Sequence, residues 1–207
     1  MRASKLPRSF YDRDTIAVAK ELLGKLLVHG RRVGRIVEAE AYRGPRDPAS
    51  HAYRRTPRSA IMWGRPGTAY VYFTYGHHYC MNAVTEREGV AGAVLLRAIE
   101  PVEGIEVMAE RRGTTDVRLL ASGPGRLTQA MHIGRDHNGT DLTDSSLYIA
   151  RGSRAPLRVK SGPRIGINIA TDRPWRFYLA GHPCVSHFAT TDLARGAGRR
   201  RTRPSRG

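Results

Sequence analysis

Two carboxylates sit two residues apart in IVEAEAYRG, residues 36–44: Glu38 and Glu40, followed by Tyr42. Side chains alternate along an extended chain. Ile36, Glu38, Glu40 and Tyr42 therefore share one face and Val37, Ala39 and Ala41 the other, with the two acids roughly 6.6–6.8 Å apart along the backbone. Paired acids can serve glycosidic-bond cleavage, one activating water while the other acts as acid or orienter. The same pattern describes a solvent face that merely carries glutamates, and the strand alone leaves both open. A second concentration of reactive types is TAYVYFTYGHHYCMN, residues 68–82, where Tyr70, Tyr72, Tyr75 and Tyr79 crowd together. Tyr70 and Tyr72 fall on one strand face, and Tyr75 falls beside a turn from which a ring can project. Such aromatics stack on bases or wedge between them; a tyrosine-rich sheet packing on itself is the alternative. His77, His78 and Cys80 match no paired zinc-ligand spacing, and Cys80 and Cys184 make no disulfide framework.

The segments that must position these residues read as a mixture of strands and short helices. DRDTIAVAKELLG (residues 12–24) predicts a helix capped by Asp14 or Thr15, with Ile16, Ala19, Leu22 and Leu23 as its buried stripe and Gly24 as its stop. KLLVHG and VGRIVEAEAY predict two strands joined across Gly30-Arg31-Arg32, and TAYVYFTYG and YCMNAV a hairpin turning at Gly76-His77-His78. GAVLLRAIEP reads as a buried strand ended by Pro101, VEGIEVMAERR as a helix, and SGPGRLTQAM as a short helix with Pro124 in its first turn. SLYIAR, RIGINIA and WRFYLAG complete the strand candidates. Strands outnumber helices and come in consecutive runs, which predicts an α+β fold: one mixed domain over residues 1–194, a curved antiparallel sheet flanked by helices, with a protruding tyrosine-bearing β-hairpin.

Charge narrows the partner. The 207 residues hold 35 Lys and Arg against 18 Asp and Glu, a formal net charge of +17. Residues 195–207, RGAGRRRTRPSRG, supply only six of the arginines, so body and tail are both basic and both favour a polyanion, most simply nucleic acid. A solvated tail on a basic enzyme fits the same composition. The tail is low in core-forming residues and reads as a disordered arm that contacts DNA. No apolar run has the length of a membrane span. The N-terminal stretch has a basic flank without an apolar core, predicting no secretory signal and a cytoplasmic protein.

Five ordered blocks then carry a resemblance: GRIVEAEAYRGPRDPASH, MWGRPGTAYVYFTYGHHYCMN, VLLRAIEP, SGPGRLTQA and RFYLAGHPCVS. Together, from about Phe10 to Ser186, the sequence resembles the alkyladenine (3-methyladenine) DNA glycosylase family. The resemblance implies a monofunctional base-excision enzyme, monomeric on double-stranded DNA and working without cofactor or metal. Such an enzyme flips a damaged purine, alkylated or deaminated, out of the duplex, hydrolyses its N-glycosidic bond and leaves an abasic site. It implies Glu40 as the base that activates water, with Arg97 and the main chain near Ile165 holding that water. Tyr42, His51 and Tyr72 match the aromatic slot around the flipped base, Asn82 the pocket residue that disfavours guanine, and Tyr75 the residue that fills the vacated stack. The sequence departs from the family after Tyr75, where GHHY stands in place of a bulkier apolar run. Glu38 reads as structural, paired with an arginine. Two alternatives remain at this point: a non-catalytic DNA- or RNA-binding protein that uses the basic surface and tyrosine hairpin, and a glycoside hydrolase that uses Glu38 and Glu40.

Overall fold

The structure, a computed structural model, describes residues 4–74, 76–152 and 156–186. Tyr75 and the arginine-rich tail lie outside these, and with them the expected wedge and the expected arm. A single helical turn, α1 (Arg8–Tyr11), leads into α2 (Thr15–Leu22). Asp14 starts α2 by accepting the N–H groups of Ile16 and Ala17 at 2.9 and 3.1 Å, which satisfies two of the donors that every helix start leaves over. The buried stripe is Val18, Ala19 and Leu22. Ile16 lies at its half-buried margin, a correction of one helical position to the expected face.

Strands β1 (Leu26–His29) and β2 (Arg32–Tyr42) form the expected hairpin, then come three short 3₁₀ turns at Gly44–Arg46, His51–Tyr53 and Ala60–Trp63. β3 (Ala69–Thr74) and β4 (His78–Val84) pair in antiparallel register from Ala69↔Ala83 to Thr74↔His78. β5 (Ala93–Glu103) follows, then the helices α3 (Ile105–Arg112), α4 (Val117–Leu120) and α5 (Pro124–Met131), and finally β6 (Leu147–Ala150), β7 (Val159–Gly162) and β8 (Arg176–Leu179). All pairings are antiparallel, in the order β3-β4-β5-β2-β1-β6, with β8 beside the second half of β2 and β7 beside β8. The fold is thus α+β in one domain, helices packed against one large antiparallel sheet. Leu22, Leu27, Ile36, Val37, Met81, Leu96, Ile99, Leu127 and Met131 form part of a single fully buried cluster between them.

Three expectations are corrected. β5 runs through Pro101 to Glu103; the proline sits opposite Gly34 at a register shift, where its missing N–H breaks no ladder bond. RIGINIA forms bends rather than a strand, and the strand in that region is Val159–Gly162, whose mostly exposed VKSG carries no apolar period to announce it. The third concerns β2. Residues 36–41 are all fully buried, so Glu38 and Glu40 do not occupy a solvent face.

Candidate active site

The sheet ladder explains why the acids face one cavity. Directly opposed residues of neighbouring strands share a sheet face. Tyr70 opposes Asn82, Asn82 opposes Leu95, Leu95 opposes Glu40, and Glu40 opposes Arg176. One row across β3, β4, β5, β2 and β8 thereby places Glu40 on the same side as Tyr70, Asn82 and Leu95. Upstream of that row Val37 in β2 and Arg97 in β5 have no partner in the register. Arg97 lies two residues beyond Leu95 on β5 and so shares its face, between the two glutamates. Its Nε lies 3.6 Å from Glu38 Oε1 and its Nη1 3.4 Å from Glu40 Oε1.

The cavity above this row has a volume of about 230 Å³. That is below the roughly 300–1,000 Å³ of sites for drug-sized ligands and suits a single small ring system. Tyr42, His51, Tyr72, Asn82, Arg97 and Ile165 all line it, together with Tyr70, Cys80 and Leu95. Six of the expected site residues are therefore gathered from β2, the His51–Tyr53 turn, β3, β4, β5 and the loop after β7. Glu40 lies immediately behind the lining and is fully buried. Its Oε1 accepts the Ile165 N–H at 2.8 Å and its Oε2 accepts the Tyr42 hydroxyl at 2.9 Å. A carboxylate has about four acceptor positions. Two are filled by these hydrogen bonds and a third faces Arg97, so one remains for a molecule entering from the cavity.

Each wall has its own electrostatics. Burial, and next the Glu40 charge, hold the Tyr42 phenol well above its ordinary pKa, so it stays a donor. Burial likewise raises Tyr72 and Cys80. Asn82 Nδ2 donates to the Tyr70 carbonyl at 3.2 Å, which fixes the amide and leaves its oxygen free. Arg97 is ion-paired with both glutamates but makes no hydrogen bond to a described residue, its buried Nε included, so its N–H groups keep donor capacity toward the cavity. Glu38 takes the structural place expected of it, accepting Arg176 Nε at 2.6 Å and the Ser186 N–H at 2.8 Å.

Residues 9–183 match the methylpurine-DNA glycosylase family. The chain belongs to that family. Among curated relatives of this glycosylase, a protein of Clostridium acetobutylicum is 51% identical over 199 residues, covering 88% of this chain and 97% of its own length. One of Methanoculleus marisnigri is 52% identical over 87% of this chain and 98% of its own. One of Chlorobaculum parvum is 46% identical over 98% and 99%. Each is named "Putative 3-methyladenine DNA glycosylase".

The structure of this glycosylase also contains what sequence reasoning passed over. Arg164 donates to both oxygens of Asp47, at 2.5 and 2.8 Å, and to the Ala41 carbonyl at 3.0 Å, with both charged side chains fully buried. Its guanidinium lies 4.6 Å from the Tyr42 ring centre and 5.2 Å from that of Trp175. This clamp fixes the residue next to Ile165 and the ring of Tyr42 at once. Nothing in the sequence links positions 47 and 164. Tyr70, singled out only as one of a crowd, hydrogen-bonds His51 Nδ1 at 2.9 Å.

Proposed function

We propose that this chain is a monofunctional DNA glycosylase that extrudes a damaged purine from duplex DNA and hydrolyses its N-glycosidic bond with a water activated by Glu40. The observation that carries this is the placing of one buried carboxylate, held by two hydrogen bonds and an arginine ion pair, directly behind a tyrosine- and histidine-walled cavity in a strongly basic protein of this family. A water that occupies the remaining acceptor position of Glu40 loses a proton as it attacks C1′, and the carboxylate's negative charge favours the cationic sugar of the transition state. Arg97 and the Ile165 N–H fix the direction of that carboxylate. The base leaves without metal assistance when alkylation has already made it cationic; a deaminated base needs a proton or hydrogen bonds from the pocket. The described lining holds no lysine, in keeping with hydrolysis rather than Schiff-base lyase chemistry.

Extrusion costs a few kcal/mol, least where the pair is already damaged. Stacking between Tyr42, His51 and Tyr72 offsets part of it, and phosphate contacts from the basic surface supply affinity that falls with salt. We further assign Tyr75 to the vacated stack and Asn82 to the exclusion of guanine.

The test is Glu40→Gln on duplexes carrying 3-methyladenine, ethenoadenine or hypoxanthine, with abasic sites revealed by alkali. The amide oxygen keeps the Ile165 N–H, so the variant folds and binds duplex, while single-turnover excision falls by about 10²–10⁴-fold. Binding without base release by the wild-type chain overturns the proposal in favour of a non-catalytic DNA-binding protein.

A further inference from the structure

We infer that the Tyr42 hydroxyl is a positioning group for the Glu40 carboxylate, selecting Oε2 as the oxygen that takes the proton from water. The inference rests on the proposed function for the reaction, but the arrangement itself stands on Glu40 and its three neighbours. Each carboxylate oxygen has about two acceptor positions. Oε1 accepts the Ile165 N–H at 2.8 Å and faces Arg97 Nη1 at 3.4 Å, so both of its positions are taken. Oε2 has one partner among the described residues, the Tyr42 hydroxyl at 2.9 Å. The open position of Glu40 is therefore on Oε2, beside the bond from Tyr42.

Strand geometry makes this contact. Tyr42 stands two residues after Glu40 on β2, so both side chains leave the same sheet face. Tyr42 lines the cavity and Glu40 lies behind it. The tyrosine ring has little freedom, because the Arg164 guanidinium lies 4.6 Å from its centre and is itself fixed by Asp47 and the Ala41 carbonyl. The same clamp carries Ile165 as its next residue. One buried arginine thus backs the donors to both oxygens of Glu40. Burial, and after it the Glu40 charge, keep the phenol protonated. Among the described residues, Glu40 Oε2 is where that proton goes.

The consequence is that Tyr42 has two separable duties. Its ring is a wall of the slot and stacks the extruded base. Its hydroxyl aims the carboxylate. Without the hydroxyl, Ile165 and Arg97 hold Glu40 by Oε1 alone, and the carboxylate turns about that contact. Oε2 then loses its fixed direction toward the water, and a group misplaced by about 1 Å costs on the order of 10²-fold in rate. Because the hydroxyl proton is committed to Glu40, its effect falls on the attacking water and not on the leaving base. The loss is therefore indifferent to whether that base is cationic or neutral.

The experiment compares wild type with Tyr42→Phe, which keeps the ring and deletes the hydroxyl, on duplexes carrying 3-methyladenine or hypoxanthine. Single-turnover excision in Tyr42→Phe falls about 10- to 100-fold. Kd for the lesion duplex stays within about threefold, because the stacking ring is kept. The loss in rate is the same for the two lesions within about threefold. An unchanged rate, a loss in Kd that matches the loss in rate, or unequal losses on the two lesions overturns the inference. In those cases the hydroxyl does nothing, serves packing, or acts on the base itself. A second readout needs no activity. In full-length protein labelled with ¹³C at the tyrosine ζ carbon, the signal missing from Tyr42→Phe belongs to Tyr42. That signal shifts in Glu40→Gln, where an amide nitrogen in the place of Oε2 donates to the hydroxyl and reverses the bond. An unmoved signal also overturns the inference. Absence of excision by wild type with the signal moved as stated would overturn the proposed function alone.

Discussion

The Asp47–Arg164 clamp makes a quantitative demand on the fold. Both side chains are fully buried, and the guanidinium makes three hydrogen bonds while Asp47 also accepts the Arg43 and Ala49 N–H groups at 3.3 and 3.2 Å. Removing one partner of such a pair leaves an uncompensated buried charge, a loss of about 3–5 kcal/mol. The two deletions should not be equal. In Arg164→Met the orphaned Asp47 keeps two backbone donors and has Arg173 3.8 Å away, so the cost lies near the lower bound. In Asp47→Leu the orphaned guanidinium keeps only the Ala41 carbonyl and two aromatic rings, and its Nε is already unpaired, so the cost lies near the upper one. Either loss is a large part of the roughly 5–15 kcal/mol that holds a domain folded, and corresponds to a fall in Tm on the order of 10 °C. The double variant should recover about 2 kcal/mol or more relative to the sum of the singles. Urea unfolding of all four proteins measures this. Single losses that simply add, within about 0.5 kcal/mol, would refute the coupling. Excision supplies a second check: slackening Ile165 weakens one hydrogen bond to the Glu40 carboxylate, a loss of about 1.5–3 kcal/mol. That is roughly tenfold to a hundredfold in rate for Arg164→Met under conditions where it stays folded.

Two further outcomes follow from local geometry. Gly44 has φ +59°, and a Cβ there would stand 2.4 Å from the Ala91 carbonyl oxygen, so Gly44→Ala must both adopt a left-handed backbone and move main chain two residues from Tyr42. It should cost about 2 kcal/mol or more in thermal or urea unfolding, whereas Gly113→Ala, with φ +63° and nothing within 4 Å of its Cβ, should cost only the roughly 1–2 kcal/mol of the conformation itself. Equal losses would show that the Ala91 contact yields freely. The second outcome concerns pH. His29 Nδ1 meets the Met131 carbonyl at 2.8 Å, His137 Nδ1 accepts the Gly134 N–H at 3.2 Å, and their Nε2 atoms lie 3.3 Å apart, a gap that holds one proton and not two. Burial lowers the His29 pKa in the folded chain, with its Met131 bond opposing and the neighbouring His137, Arg32 and His132 adding to the fall. The unfolded chain therefore takes up the proton first, so this contribution to stability is complete above the ordinary histidine value of about 6.5 and is lost as pH falls through the folded one. Unfolding free energy should drop between about pH 7 and pH 5.5, and drop less in His29→Gln; parallel slopes would exclude the pair as the cause.

What could be seen in the sequence, and what could not, divides at the strand. Alternation put Glu38 and Glu40 on one side of β2, and the cap at Asp14 and the proline opening α5 were visible because each depends on residues within a turn of itself. Val159–Gly162 carries no such signal, since its side chains are exposed and the strand exists only because β8 lies beside it. The row from Tyr70 through Asn82 and Leu95 to Glu40 is a matter of register, and the β2–β5 ladder keeps one register on both sides of the unpaired Val37 and Arg97, from Ile36↔Ile99 to Glu40↔Leu95. Both lie in strands buried on both faces, where the apolar pattern carries no mark of register. A one-residue slip of β5 along β2 would turn Arg97 to the opposite face and leave Glu38 and Glu40 buried side by side with no cation between them.

That requirement also accounts for the acids themselves. In a chain with nearly twice as many basic as acidic groups, a surface carboxylate is easily satisfied, and its presence carries little information. Three acids, Glu38, Glu40 and Asp47, are instead wholly withdrawn from solvent, where an unpaired charge is costly. Each faces an arginine: Glu38 has Arg176 and Arg97, Asp47 has Arg164, and Glu40 has Arg97 at 3.4 Å. Glu38 and Asp47 are matched at 2.6 Å or closer and are thereby inert. Glu40 is the exception: its contact with arginine is long and its nearer partners are a hydroxyl and an amide, so it keeps a lone pair to spare. The asymmetry among three equally buried acids, rather than burial or charge alone, is what supports the proposed assignment of Glu40 as the reacting carboxylate.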